Sequence, residues 1–270
     1  MHRHLTIDFG KIHDTAIKGI NRAAVFMGLG VNAADMDDLD NYLLDRDTRF
    51  RILPEEVSAE TIKGWKQEFR IWVVGCGFRE LVDRFCVFMD RLYHACSIVS
   101  RSSTPKIQKE FEDLGMDRKI KKINEEFAVS CHYDEHLSTF YPIRNCFVHR
   151  LGLVGPRDLK SDKTLNLRWM RFQTVFTTQY GHEQQIPDFL DPKSPSFVTR
   201  EGGFLGLKWV SAERKFEKGD WIRLNPKELT EILFFARLCA VEYTKSGVGF
   251  AKDKGILLKN NAEQSTPADG

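Results

Sequence analysis

From Ile62 to Ser97 the chain repeats apolar residues at helical spacing, and that run dictates an α-helical scaffold. Leu81, Phe85, Phe88 and Leu92 form one stripe, widened by Val82 and Met89. Ser58 is placed to cap the helix start, with Thr61 at the third helical position. Gly75 and Gly77 fall near the middle and mark either a kink or a close helix contact. Residues 10–29 supply a second helix, with Ile12, Ala16, Ile20, Ala23, Ala24 and Met27 on helical spacing and an end at Gly28 and Gly30. An acidic loop over residues 32–50 follows it. Residues 100–106, SRSSTPK, read as a loop, and 106–129 as one further polar helical stretch. Pro142 then suits the first position of another helix, and Gly152 closes it.

After Gly155 the period changes. Residues 164–178 (TLNLRWMRFQTVFTT) and 204–210 (FLGLKWV) alternate polar and apolar side chains, as strands do. EKGDWIRL, residues 217–224, reads as a turn and a short strand. Residues 225–243 form a last helix, with Asn225 as cap, Pro226 at the first position and Glu228 at the third. The expected fold is mainly α. A helical domain of residues 1–155 precedes a smaller β-containing part, 156–251, that ends in a helix, and a polar disordered tail covers 252–270. The β-containing part is either a second domain or an elaboration packed on the first.

Hydrophobic residues at 42% and charged residues at 29% belong to an ordinary globular chain. A net charge of +2 excludes a uniformly basic surface and leaves room for a local basic cleft. The start, MHRHLTIDFG, has no apolar signal core, and ILFFARLCAVEY is too short and too interrupted to span a bilayer. Cysteines at 76, 86, 96, 131, 146 and 239 include no CxxC pair and read as reduced, mostly buried thiols. A cytoplasmic protein without membrane contact is expected.

Chemistry concentrates in RNCFVHRLG, residues 144–152. An arginine five positions before a histidine arises by chance in roughly every second chain of this make-up, so the spacing alone carries little. On a helix, however, Ile143, Cys146, Phe147 and Leu151 share an apolar side, and Asn145 and His149 stack one turn apart on another. Arg144 lies about 100° from Asn145 and its long side chain reaches the same face. Imidazole exchanges protons near neutral pH, and guanidinium stays charged and holds phosphate oxygens. A bland alternative remains: a histidine near a helix C-terminus also serves the helix dipole and the last carbonyls.

The stretch IRNCFVHRLGLV resembles the signature helix of the HEPN superfamily (higher eukaryotes and prokaryotes nucleotide-binding), and the likeness spans about residues 10–155. It implies an antiparallel helix bundle and a metal-independent endoribonuclease that needs no cofactor. Such an enzyme works as a homodimer with two motif helices across a shared cleft. Attack by a ribose 2′-hydroxyl leaves a 2′,3′-cyclic phosphate. By that resemblance His149 transfers protons, Arg144 binds the phosphate, and Asn145 orients the histidine or touches the backbone. Asp83, on the flank of the long helix, is the candidate auxiliary polar residue. Toxin–antitoxin or antiviral roles are implied, with an antitoxin or nucleotidyltransferase as partner, and so are non-catalytic relatives that bind RNA or nucleotide, or act as scaffolds.

Further candidates carry bland readings beside them. Glu80 and Arg84, and likewise Asp90 and His94, stand four apart as helix-surface pairs. Cys131, His132 and His136 in CHYDEH suggest zinc, but further ligands at suitable spacing are missing. The basic run 117–126 is either an RNA path or a solvated helix face. Trp169, Trp209 and Trp221 are either base-stacking platforms or, as the alternation favours, core residues.

Overall fold

A computed structural model describes residues 7–36, 57–159, 163–186 and 202–256. Helix α1 (Phe9–Asp35) begins at Asp8, whose carboxylate accepts from the Lys11 amide. Helix α2 (Ala59–Val99) begins at Ser58, whose hydroxyl accepts from the Thr61 amide, as the sequence suggests. The stripe Leu81, Val82, Phe85, Phe88, Met89 and Leu92 is wholly buried. Gly28 and Gly30 do not end α1, which runs on to Asp35. Gly30 lies so close to Val73 that a β-carbon there would stand 2.3 Å from it, and Val31 and Ala34 are buried beyond it. Residues 32–35 therefore belong to α1, and residues 37–50 of the expected acidic loop lie outside the described residues.

The stretch 106–129 is two helices, α3 (Pro105–Glu112) and α4 (Met116–Phe127), separated at Gly115. The break has a packing cause. Tyr93 and Phe111 stack with ring centroids 3.8 Å apart, which fixes α3 against α2. Lys119 of α4 is 1% exposed, and its ammonium donates to the carbonyls of Phe111 and Glu112 at 2.7 and 2.9 Å and to the Asp90 carboxylate. Burial raises the Asp90 pKa, and the hydrogen bond from Lys119 opposes that rise. Asp90 thus pairs with Lys119 and not with His94, which meets Gln108 instead.

A four-residue turn of helix, α5 (Asp134–Leu137), leads into α6 (Phe140–Arg150), so Pro142 sits within the first turn and not at its first position. α6 ends as expected: Leu151 is left-handed at φ 54°, and Gly152 takes φ 90°, a conformation glycine adopts without strain. Leu151 is 65% exposed, which removes it from the expected apolar face, whereas Ile143, Cys146 and Phe147 are buried.

β1 (Leu165–Thr178) pairs antiparallel along its whole length with β3 (Gly203–Phe216), and β2 (Glu183–Gln185) adds to the other edge, giving the order β2-β1-β3. Residues 217–224 do not form a strand, and Trp221 makes only an isolated bridge to Leu153. Helix α7 (Pro226–Asp253) has the full capping box, Asn225 and Glu228 each accepting from the other's amide. It extends well past Tyr243 because Gly247 lies against Leu92 and Phe9, and Phe250 meets Phe127 with ring centroids 5.4 Å apart. The expected tail therefore starts later than residue 252, and residues 257–270 lie outside the described residues.

The fold is mainly helical with a small antiparallel sheet and a C-terminal helix. One hydrophobic cluster includes buried residues of α1, α2, α4, α6 and α7 together with Leu165, Leu167, Trp169 and Phe216 at one end of the β1–β3 hairpin. At the far end Phe204, Leu205 and Leu207 of β3 are exposed, while Val175 and Phe176 of β1 are buried. Among the described residues no helix is long and apolar enough to cross a membrane.

Two glycines of the bundle should respond oppositely to alanine. At Gly75 a β-carbon would stand 2.7 Å from the Phe147 ring, so Gly75→Ala should cost about 1–3 kcal/mol of stability through overpacking. Exposed Gly28 has no neighbour within 4 Å, so Gly28→Ala should gain about 0.5–1 kcal/mol. Urea unfolding of the two variants measures both. Lys119→Ala, which strands Asp90 and two carbonyls, should cost about 3–5 kcal/mol in the same assay.

Candidate functional site

Phe147 sets the position of α6. The Cδ1–Cε1 edge of its ring packs against both Gly75 and Gly152, and the ring lies 5.9 Å from the Phe78 ring centroid. With the helix held there, Arg144 reaches across to α2. Its Nε and Nη2 both lie 2.9 Å from Oδ1 of Asp83, and Nη1 donates to Oδ1 of Asn145 at 3.1 Å. The second Asp83 oxygen accepts from Nε of Arg79 at 3.3 Å. The Tyr141 ring backs the guanidinium, with its centroid 6.0 Å from Cζ. One carboxylate is thus shared by two guanidiniums, and the cluster keeps a net positive charge. Arg144 is the better shielded, at 20% side-chain exposure against 39% for Asp83 and 58% for Arg79.

His149 is exposed on the same helix and makes no hydrogen bond or ion pair among the described residues. It lines a surface hollow with Arg150, Gly155, Pro156 and Arg157. Two of these residues are held by Asp158, which is buried and accepts from Nε of Arg150 at 2.6 Å and from the Gly155 amide at 2.8 Å. Backbone bonds from Val154 to Asp220 and from Ile222 to Gly152, 2.9 and 2.8 Å, pin the segment after α6 to residues 219–222. Arg157 is exposed and has no ionic partner among the described residues. The sequence reading missed Arg79, which stands four residues before Asp83 on α2 and was open to the same spacing test as Glu80 and Arg84. It also missed Arg157, which a search for cations just after the motif helix would have found.

The arrangement therefore joins Asp83, Arg144 and Asn145 by direct contacts and leaves His149 apart from them, facing solvent. A fixed guanidinium can hold a phosphate oxygen, and an unengaged imidazole can give or take a proton. A second recess adjoins α6: Phe147, Val148 and Leu151 form one wall and α2 from Gly64 to Arg79 the other.

The remaining candidates resolve as follows. Glu80 and Arg84 do pair on the surface, at 2.9 Å, with Arg22 added at 3.2 Å. In CHYDEH the side chains diverge. His132 bonds Glu242 at 2.6 Å, which raises the His132 pKa, and His136 meets Ser211 at 2.9 Å, with burial and then Arg168 lowering its pKa. A raised histidine pKa opposes metal ligation, which needs the neutral ring. No group of three or more metal-ligating side chains occurs among the described residues. In the basic run Lys121 and Lys122 pair with Glu125 and Glu126, each at 3.6 Å, and Lys119 is buried. Trp169 is a core residue, its indole donating to Glu231 at 2.9 Å. Trp209 is half-buried on Phe172, and Trp221 is 42% exposed, so core packing does not extend to it. Cys76 is exposed and Cys86 half-buried, and the other four cysteines are buried free thiols.

Comparisons with protein-family models, curated proteins and solved structures give no match. The Asp83–Arg144 pair is partly solvated, so a double-mutant cycle with Asp83→Ala and Arg144→Ala should give a coupling energy of about 0.5–1 kcal/mol in urea unfolding. A value several-fold larger would mean the pair serves chiefly to hold the fold.

Proposed function

We propose that the chain is a metal-independent endoribonuclease of HEPN type, with Arg144, Asn145 and His149 at its centre and Asp83 as auxiliary residue. The observation that carries this reading is the contrast within α6. Arg144 is fixed by Asp83 and Asn145, while His149, on the same helix, is exposed and uncommitted. A phosphate ligand benefits from being fixed in advance, because no reorganisation is then needed as charge builds. A proton carrier benefits from being free to meet its substrate.

In the proposed reaction the ribose 2′-oxygen forms a bond to the adjacent phosphorus as the P–O5′ bond breaks. The 2′ proton passes to His149, and the 5′-oxygen takes a proton from the second imidazole of a homodimer or from water. The products are a 2′,3′-cyclic phosphate and a 5′-hydroxyl, and Arg144 neutralises the pentacoordinate phosphorane. Two copies would set their motif helices across one cleft. Val25, Phe26 and Leu29, exposed together on α1, offer apolar surface for such a contact. A role as toxin or antiviral effector, with an antitoxin or nucleotidyltransferase beside it, follows from the resemblance and belongs to the same proposal, as does a cytoplasmic location.

A second reading is a non-catalytic RNA- or nucleotide-binding or scaffold protein. It is favoured by the occupancy of Arg144: Asp83 and Asn145 already take donors from all three of its nitrogens. The two readings separate on end-group analysis. His149→Ala should abolish RNA cleavage, at least about 100-fold for loss of general acid–base catalysis, with circular dichroism and sedimentation unchanged. Cleavage by the unaltered chain should persist in EDTA and leave cyclic-phosphate ends. Inhibition by EDTA would sink the mechanism, and RNA binding without cyclic-phosphate ends would select the second reading.

A further inference from the structure

The recess between α2 and α6 has a volume of about 820 Å³, within the usual size of small-molecule sites, and its lining is unusual for a surface groove. Three indoles, Trp65, Trp72 and Trp221, reach it from two different parts of the chain, together with Phe69. Trp72 is 57% exposed and stacks at 6.1 Å on Phe69, itself 40% exposed, so flat aromatic faces are open to solvent. Aromatic faces held this way are costly unless something covers them. Charge narrows what that is. Arg79 and Arg223 line the groove against one acid, Glu68, and Arg79 is the residue that shares Asp83 with Arg144. The aromatic groove is therefore joined through one carboxylate to the motif guanidinium. An occupant that offers flat rings along an anionic backbone fits both features, whereas a purely apolar partner leaves Arg223 unmatched and Arg79 only sharing Asp83 with Arg144.

We infer that this groove binds unpaired bases of single-stranded RNA, stacked on Trp72 and Trp221, with the adjoining phosphates drawn to Arg79 and Arg223. The inference builds on the RNA reading above and adds a substrate class: strand with splayed bases, not duplex, whose bases are already stacked on one another. Gln67, exposed in the lining, supplies one amide donor and acceptor for a base edge. Arg79, in the lining, shares the Asp83 carboxylate with Arg144, so a phosphate held there lies beside the motif guanidinium.

The test measures binding by the full chain carrying His149→Ala, so that RNA stays intact. Two probes are compared at fixed salt by fluorescence anisotropy: a decameric oligoadenylate and a decamer of the same ribose-phosphate backbone without bases. Oligoadenylate should bind at least about tenfold more tightly, and should quench tryptophan emission. Trp72→Ala should remove about tenfold of that preference and leave the baseless probe unaffected, while Trp72→Phe should keep most of it. Circular dichroism verifies folding, which an exposed residue should not disturb. Equal affinity for the two probes, no binding of either, or full preference in Trp72→Ala would each overturn the inference. A Trp72→Ala chain that sediments as monomer where the parent is dimeric, with RNA affinity unchanged, would assign the groove to a second copy instead. Base-dependent binding by a chain that yields no cyclic-phosphate ends keeps this inference and removes the nuclease reading. Cleavage that Trp72→Ala leaves untouched does the reverse.

Discussion

The contact between Phe147 and Gly75 decides where the chemistry of this chain can be. A ring seated on a glycine brings α6 nearer to α2 than any side chain at residue 75 would allow, and Gly152 makes room for the same ring edge. Only at that separation does Arg144 meet Asp83 with two nitrogens at 2.9 Å. The same principle shapes the rest of the bundle. A β-carbon on Gly30 would collide with Val73, on Gly77 with Met27, and on Gly247 with Leu92. Each glycine weakens its helix locally by roughly 0.5–1 kcal/mol relative to alanine, and each is repaid by close packing of apolar side chains. Shape, more than hydrogen bonding, registers these helices.

That trade explains what could be read from the sequence and what could not. Caps depend on neighbours three positions away, so Ser58 with Thr61 and Asn225 with Glu228 were legible, as were the stripe on α2 and the alternation of β1 and β3. The ends of α1 and α7 were not. Gly30 and Gly247 look like helix stops when only the chain's own propensity is considered, and tertiary contact overrides them, while exposed Gly28 is carried along within α1. The division of 106–129 at Gly115 failed for a related reason. Lys119, seemingly one of a solvated basic run, is buried as the bond partner of α3's last carbonyls. Distant pairing of this kind leaves no period behind.

At the candidate site the same boundary runs between single residues and their relations. The types and spacing of Arg144, Asn145 and His149 could be read directly, and Asp83 could be placed on a flank of α2. Their pairing could not, since Asp83 and Arg144 stand 61 residues apart. Nor did spacing show that Asn145 would face Arg144 and leave His149 alone, because helical position fixes direction to within a turn and not the choice among rotamers. Trp221 illustrates the opposite failure. An alternating pattern suggested a strand and a buried indole, but a single bridge to Leu153 leaves the ring at the surface.

Asp83 makes the site a balance rather than a simple cationic patch. Its carboxylate orients Arg144, but it also competes with any phosphate for the same guanidinium. Two features shift that balance toward an incoming anion. Arg79 draws on the second carboxylate oxygen, so two cations share one anion, and 39% exposure lets water screen the pair, which keeps its strength modest. A phosphodiester entering beside Arg144 would meet net positive charge without first having to break a strong buried bridge. The arrangement thus leaves Arg144 oriented yet within reach of an incoming anion, and leaves His149 tied to neither arginine nor acid.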